Sequence, residues 1–159
     1  MDELLNILKT NALETPENLA KMLNQTEEEI KAKIAEYEKN GVIRGYQAVI
    51  NEDQLDTHYV TAVIEVKITP QREGGFDHIA KRISKFSEVQ SVYLMSGAFD
   101  LLLFVTDKDL KNVASFVSEK LATINGVIST ATHFMLKPYK NHGILMESHD
   151  EYERLKVSP

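Results

Sequence analysis

The spacing of apolar residues over the first 25 positions predicts two short helices. The first runs to about Asn11 and carries an apolar stripe made of Leu4, Leu5, Ile7 and Leu8. The second begins at Thr15, an N-cap residue, with Pro16 at its first helical position. Its predicted buried residues are Leu19, Met22 and Leu23.

A capping box, in which Thr26 is followed three residues later by Glu29, predicts the start of a third helix. The residues predicted to face inward are Ile30, Ile34 and Tyr37. Asn40-Gly41 is expected to end this helix at a left-handed cap. Three short helices with a tight turn between the last two make a helix-turn-helix. Gly45 to Ile50 then alternates like a strand, and the polar segment Asn51 to Thr57 marks a domain boundary.

From Tyr59 onward, segments in which every second residue is apolar, as in a strand, are followed by segments with the apolar spacing of a helix. Tyr59 to Ile68 reads as an amphipathic strand whose inward residues are Val60, Ala62, Ile64, Val66 and Ile68. Helical spacing follows in Phe76, Ile79, Ala80 and Ile83. Two apolar runs, Val92 to Met95 and Leu101 to Val105, then flank a turn that contains Gly97. A second amphipathic helix is predicted from Leu110, Val113, Ala114, Val117 and Leu121. Val127 to Met135 forms the last predicted strand.

This order predicts an α+β protein: an N-terminal helix-turn-helix (winged-helix-like) domain followed by a C-terminal ferredoxin-like βαββαβ domain. The expected bounds are 1–50 for the first domain, 51–58 for a linker, 59–139 for the second domain and 140–159 for a tail. Within the tail, Glu147 to Lys156 is compatible with a helix or with disorder. Helices cover only one face of such a sheet, so we expect a second copy to cover the other in an obligate dimer.

The turn around Gly97 is the strongest candidate for chemistry. Glycine tolerates positive φ and lets a ligand approach the backbone N–H groups, while Asp100 stands at the start of the next strand. Amides beside a carboxylate suit a zwitterion, since the amides meet its carboxylate and Asp100 meets its ammonium. The alternative is an ordinary hairpin with Gly in its turn and Asp at its edge.

Composition narrows the function classes. With 43% hydrophobic and 26% charged residues, the chain is typical of a soluble globular protein. Its apolar runs are strand-sized and its N-terminus has no signal-peptide core, so we expect a cytoplasmic protein without a membrane span. The absence of cysteine excludes disulfides and thiolate sites. The histidines show no metal-binding spacing, so neither a metal nor a cofactor is expected; they are His58, His78, His133, His142 and His149.

Three segments in this order resemble the Lrp/AsnC transcription factors, the leucine-responsive regulator family. They are Glu38 to Tyr46, Gly97 to Leu101 and Gly126 to Phe134. The resemblance, which extends to about Tyr139, implies a DNA-binding regulator that senses an amino acid. It also implies dimers that assemble further into an octamer. No enzymatic activity is expected.

The resemblance also assigns site residues. The effector would lie between dimers, lined by Ser96, Gly97, Ala98, Phe99 and Asp100 of one subunit and by Thr130 and Thr132 of another. Double-stranded DNA would meet the third helix, and the cations able to reach phosphate are Lys21, Lys31, Lys33, Lys39 and Arg44. The chain departs from the family at Glu27, Glu28 and Glu29, where acidic side chains repel phosphate. Residues 1 to 50 hold six Lys or Arg against nine Asp or Glu.

Three other interpretations remain open. In the first, the lysines of the third helix do not bind DNA and are ordinary solvated surface, held in i,i+4 pairs such as Glu27–Lys31 and Glu29–Lys33. Alternatively, the chain senses an amino acid and acts through protein partners, without DNA. Sirohaem decarboxylases share the two-domain architecture, and for such an enzyme the chain offers Lys81, Arg82 and His133.

Overall fold

The chain divides into two compact units, Met1–Ala48 and Val49–Pro159, in the computed structural model. The structure describes residues 2–56, 59–69 and 75–146. The segment predicted as either helix or disorder, Glu147 to Lys156, lies outside the described residues.

The first unit contains three helices, α1 (Glu3–Thr10), α2 (Pro16–Leu23) and α3 (Glu27–Lys39). Each begins at a side-chain cap that satisfies N–H groups of the first turn. The caps are Asp2, Thr15 and Thr26, and the predicted capping box between Thr26 and Glu29 is present. The helices predicted from spacing and capping are therefore confirmed.

Tight left-handed residues end α2 and α3. Asn24 (φ 53°) turns the chain between α2 and α3, and its N–H donates to the carbonyl of Ala20. Gly41 (φ 69°) follows α3, and the Val42 N–H donates back to the Tyr37 carbonyl at 2.8 Å. This is the left-handed cap that Asn40-Gly41 predicts, with the glycine as its left-handed member. The short α2–α3 turn makes the pair a helix-turn-helix.

The core of the first unit is small. Its buried residues are Leu4, Leu8, Leu19 and Ile30. Ile34, Tyr37 and Leu23 pack against it partly buried, whereas Met22 is 60% exposed, so the prediction that Met22 is buried was wrong. The prediction of a strand from Gly45 to Ile50 was also wrong, because these residues have no strand conformation. Alternation alone does not make a strand, which needs a neighbouring strand to bond its backbone.

The second unit is a four-stranded antiparallel sheet with helices on one face. Its strands are β1 (Val60–Ile68), β2 (Val89–Leu94), β3 (Leu101–Asp107) and β4 (Val127–Phe134). They lie in the order β2-β3-β1-β4, which is the ferredoxin-like arrangement and confirms the predicted fold. Helix α4 (Asp77–Ile83) connects β1 to β2, and α5 (Leu110–Ser115) continues into a π-helical turn (Phe116–Leu121) before β4. A 3₁₀ turn (Glu52–Gln54) precedes β1, and a hairpin of β5 (Lys140–Asn141) and β6 (Ile144–Leu145) begins the segment predicted as a tail.

The core of the second unit lies between the sheet and its helices. Alternate residues of β1, namely Ala62, Ile64, Val66 and Ile68, are buried, as the alternating pattern predicts. On the last helix the prediction is wrong at two positions, since Leu110 and Ala114 are exposed. Phe116 is buried instead, and Leu121 follows it by five residues. The wide π turn spans that interval, so both side chains reach the core.

No helix in the described ranges is both long and apolar enough to cross a membrane.

Candidate functional site

The β2–β3 turn presents open backbone amides. Gly97 has φ 147°, within the range that side-chain-bearing residues rarely adopt, and a Cβ there would meet no atom within 4 Å. Within the described part of the chain, the N–H groups of Ser96, Gly97, Ala98 and Phe99 donate no hydrogen bond. The turn therefore has space in front of it and donors to offer an anion.

Asp100 closes the base of this turn. Its N–H donates to the Val66 carbonyl at 3.0 Å, and its carbonyl accepts the Met95 N–H at 2.8 Å. Its side-chain Oδ2 accepts the Ile68 N–H at 2.8 Å. One carboxylate oxygen thus ties the end of β1 to the turn, while Oδ1 makes no hydrogen bond within the described residues. The bond to Ile68 supports the interpretation that Asp100 stabilises the edge of an ordinary hairpin. Its other oxygen, Oδ1, remains able to bind a ligand.

Thr130 and Thr132 do not meet this turn within one subunit. Thr130 pairs with Val66 of β1, which pairs on its other side with Leu101. Two interstrand spacings, about 10 Å, therefore separate Thr130 from the foot of the turn. Thr132 pairs with Ile64, two residues farther along β1. A single subunit brings Ser96 to Asp100 together and leaves the two threonines apart.

The lysines of the helix-turn-helix differ in their partners. Lys21 pairs with Glu17 at 2.6 Å and Lys31 with Glu27 at 2.5 Å, both as exposed i,i+4 ion pairs. The second pair is one that the sequence predicts. Exposed pairs of this kind contribute only about 0–1 kcal/mol, so either lysine can leave its partner for a phosphate. Lys39 and Arg44 are exposed and have no acidic partner in the described ranges.

Lys33 has a different ion-pair partner from the one predicted. Its Nζ lies 2.8 Å from Oδ2 of Asp2, and that same oxygen accepts the Tyr37 hydroxyl at 2.6 Å. The predicted Glu29–Lys33 pair is absent because the Glu29 carboxylate accepts from the Thr26 N–H and hydroxyl. Lys33 thus holds the start of α1 against α3.

Asp2 is the residue that the sequence analysis missed. Hydrogen bonds from Lys33, then from Tyr37 and the Leu4 amide, lower the pKa of Asp2 from 3.8 to about 2. An aspartate directly before a helix is a recognisable N-cap signal, whereas its bond to Tyr37 spans 35 residues and leaves no local trace.

Acid should therefore loosen the first unit through Asp2. A carboxyl whose folded pKa is depressed stabilises the fold above its unfolded pKa, near 4, and loses that contribution as the pH falls towards about 2. Asp2→Asn keeps an N-cap oxygen but removes the charge, so we expect lower stability at neutral pH and a weaker dependence between pH 4 and 2. Hydrogen exchange of α1 and α3 peptides measures this, with Glu28→Gln as the control. Equal pH dependence in Asp2→Asn and wild type would contradict it.

The sheet face opposite the helices carries a partly apolar surface, which we call the open face. Its apolar members are Val63, Tyr93, Leu102 and Phe104. Val63 pairs with Phe104, and the Tyr93 and Phe104 rings meet edge to face with their centroids 6.2 Å apart. His133 lies beside them, with Nε2 3.4 Å from Oε1 of Glu65.

The residues offered for a tetrapyrrole enzyme do not converge. Lys81 and Arg82 are exposed on α4, which packs on the helix-covered face of the sheet. His133 pairs with Val63 and therefore belongs to the open face. Among the described residues no cluster of His, Asp and Glu is arranged to hold a metal ion.

In a shallow depression beside the π-helical turn, the polar side chains of the lining already bind one another. Lys120 pairs with Glu88 and holds the pKa of that carboxyl below its usual value. Asn112 donates to Asp107 at 2.7 Å and lowers the pKa of Asp107. Because these carboxylates already have partners, the depression offers less to a ligand than the Gly97 turn does.

Comparison with known proteins adds independent findings. Residues 61–145 match the model of the Lrp/AsnC ligand binding domain. Over 158 residues the chain is 46% identical to the HTH-type transcriptional regulator YugG of Bacillus subtilis (strain 168), covering 99% of this chain and 95% of that protein. An AsnC family transcriptional regulator from Agrobacterium tumefaciens has a TM-score of 0.67 at 25% identity, covering 96% and 99%. The regulator NMB0573 of Neisseria meningitidis, solved as a complex with L-Met, has a TM-score of 0.69 at 23% identity, covering 89% and 93%.

Proposed function

This chain belongs to the Lrp/AsnC family, and we propose that it is a DNA-binding transcriptional regulator that responds to an amino acid. The observation that carries the proposal is the helix-turn-helix of the first unit, in which α3 follows α2 through a tight turn and buries only Ile30. The exposed side of α3, away from Ile30, is available to a groove of DNA. The relative that is 46% identical to this chain is named as an HTH-type transcriptional regulator, which supports the proposal. Since DNA is its target, we place the protein in the cytoplasm.

The direct test is a selection with purified full-length protein and a library of random double-stranded DNA, with and without pooled amino acids. A regulator enriches one pseudo-palindromic motif, because a two-fold dimer presents two reading helices. Enrichment that changes when amino acids are added supports both halves of the proposal. Failure to enrich any motif under either condition would contradict DNA binding and leave the sensor that acts through protein partners.

We expect Lys39 and Arg44 to make phosphate contacts, because neither side chain is held by an acidic neighbour. Lys39→Ala should reduce the slope of log affinity against log salt by about 0.9, the value for one lost phosphate contact. Filter binding or fluorescence anisotropy at several salt concentrations measures the slope. Lys9→Ala, which removes an exposed cation from α1, is the control and should leave the slope unchanged.

The same measurement separates Lys33 from the other cations. Lys33→Ala should lower the stability of the first unit, since it removes the partner of Asp2. It should leave the salt slope of the folded protein unchanged. A slope reduced in Lys33→Ala as much as in Lys39→Ala would return Lys33 to the phosphate contacts.

A second copy of the chain is proposed to cover the open face. The aromatic and aliphatic side chains there form one patch across β1, β2 and β3, which suits burial between two subunits. Phe104→Glu should shift the protein from dimer towards monomer in analytical ultracentrifugation, because it places an unpaired charge in the patch. Ala114→Glu adds the same charge to exposed helix surface and should leave the dimer intact. Equal sedimentation of Phe104→Glu and wild type would contradict the interface.

The effector is proposed to bind at the β2–β3 turn, with Ser96 to Asp100 from one subunit and Thr130 and Thr132 from another. The separation of the threonines from the turn within one subunit supports a site shared between copies. A neighbour of the same fold was solved with L-Met bound, which supports an amino acid as the ligand class. Such a site exists only in the assembly, here proposed to be an octamer built from four dimers, so ligand binding and assembly are linked.

A further inference from the structure

The outward surface of α3 is chemically uneven. Positions 28, 32, 35 and 39 follow one another at helical spacing and carry Glu28, Ala32, Ala35 and Lys39, all exposed. They lie on the side of the helix away from Ile30, which is buried in the core. The two alanines do not project far, so nothing large separates the middle of this surface from an approaching partner. Glu28 and Lys39 are the charged ends of the stripe.

The three consecutive glutamates of α3 are not equivalent. Glu27 pairs with Lys31 at 2.5 Å. Glu29 accepts from the Thr26 N–H at 2.8 Å and from the Thr26 hydroxyl at 2.9 Å, as part of the capping box. Glu28 has neither a hydrogen bond nor an ion pair to any described residue and points to solvent. Of the three carboxylates, it alone has both oxygens free for a partner from outside.

We propose that Glu28 reads cytosine in the major groove and is a specificity-determining residue of this regulator. The inference rests on the proposed function, because it assumes that α3 enters the groove. In that position the N-terminal residues of the helix face base edges. A carboxylate can only accept hydrogen bonds, so it binds a base that offers a donor.

The pattern of base edges selects cytosine. Cytosine presents only its N4 amino donor in the major groove. Adenine places the N7 acceptor beside its N6 donor, while guanine and thymine offer acceptors without a donor, and each of these acceptors repels a carboxylate. The acidic start of α3 therefore weakens binding to DNA in general and makes the remaining binding depend on sequence. Ala32 and Ala35 are small enough to let the helix approach the base edges and to contact a thymine methyl group.

Glu28→Gln is the test, because it removes the charge while preserving size and exposure. The full-length wild type and variant are each selected against the same library of random double-stranded DNA. We expect each half-site of the wild-type motif to contain one position at which cytosine is preferred over the other bases by roughly 5- to 150-fold, the range for a good base contact. Glutamine bonds adenine N6 and N7 together, so the variant should lose that cytosine and gain adenine at the same position.

Glu27→Gln is the matched control. It removes the same charge one residue earlier, and the folding of each variant is checked by circular dichroism. Both variants should bind non-specific DNA more tightly, but Glu27→Gln should retain the cytosine. An unchanged motif in Glu28→Gln would overturn the inference and leave the proposed function standing. The same change of base in both variants would also overturn it, since the effect would then follow charge alone. If wild type enriches no motif, the proposed function fails and the inference fails with it.

Discussion

Replacing Leu19 by alanine is expected to unfold the first unit under conditions in which the second unit stays folded. Leu19 is completely buried and is one of the four buried residues in that core among residues 2–48. Leucine-to-alanine changes in cores cost about 2–5 kcal/mol. A unit as small as Met1–Ala48 has a total stability of roughly 2–7 kcal/mol. The loss is therefore comparable with the whole stability of the helix-turn-helix.

Hydrogen exchange followed by mass spectrometry distinguishes the two units in one experiment. Peptides from α1 to α3 should lose protection in Leu19→Ala, whereas peptides from β1 and β3 should keep it, because their core is separate. DNA affinity should fall with the protection of α3. Leu13→Ala is the control, since Leu13 is 90% exposed and its truncation leaves no cavity. Wild-type protection of α1 to α3 in Leu19→Ala would show that Leu19 is not central to that core.

The features of the helix-turn-helix that could be predicted are those that neighbouring residues determine. Thr26 and Glu29 are three residues apart, so the start of α3 is visible in the sequence and the capping box forms as predicted. The same local bond explains the incorrect Glu29–Lys33 pair, because the capping box already occupies the Glu29 carboxylate. Lys33 pairs instead with Asp2, 31 residues earlier, and no periodicity indicates a contact at that separation.

Strands depend on partners, so their prediction succeeded only where the partner lies in the same chain. The alternating residues of β1 found β3 and β4 on either side. Gly45 to Ile50 also alternates but has no neighbouring strand in the part of the chain that the structure describes, and Tyr46 and Ile50 remain about half exposed. The helix after β3 was mispredicted for a different reason. Its π turn changes which residues face the core, and the amino-acid composition gives no sign of that turn.

In the candidate effector site, too, the local features could be predicted and the contacts between distant residues could not. Glycine at 97 indicates a turn with positive φ, and the turn has φ 147°. The bond from the Ile68 N–H to Asp100 joins residues 32 apart, so the sequence could not show that this carboxylate also supports the hairpin. Nor could it show that β1 separates the turn from Thr130. Those facts change how the site must be tested.

Gly97→Val is expected to abolish the response to amino acids while the fold and the dimer survive. Valine is strained at φ 147°, and its side chain would occupy the open space in front of the turn amides, where a carboxylate must bind. Gly143→Val is the matched control. Gly143 also has positive φ (87°) with open space around it, but it lies in the β5–β6 hairpin. Comparable backbone strain at that position should leave the amino-acid response intact.

Asp100 requires two substitutions, because its carboxylate has a structural partner. Asp100→Asn keeps an oxygen for the Ile68 N–H and removes the charge, so it should weaken an ammonium contact by about 1–3 kcal/mol with little effect on folding. Asp100→Ala removes both and should also destabilise the end of β1. Titration calorimetry of the twenty amino acids against wild type, Gly97→Val, Gly143→Val and Asp100→Asn measures the affinities. If Gly97→Val and Asp100→Asn both retain wild-type affinity for an amino acid that wild type binds, the turn only closes the hairpin, and the effector binds elsewhere in the second unit.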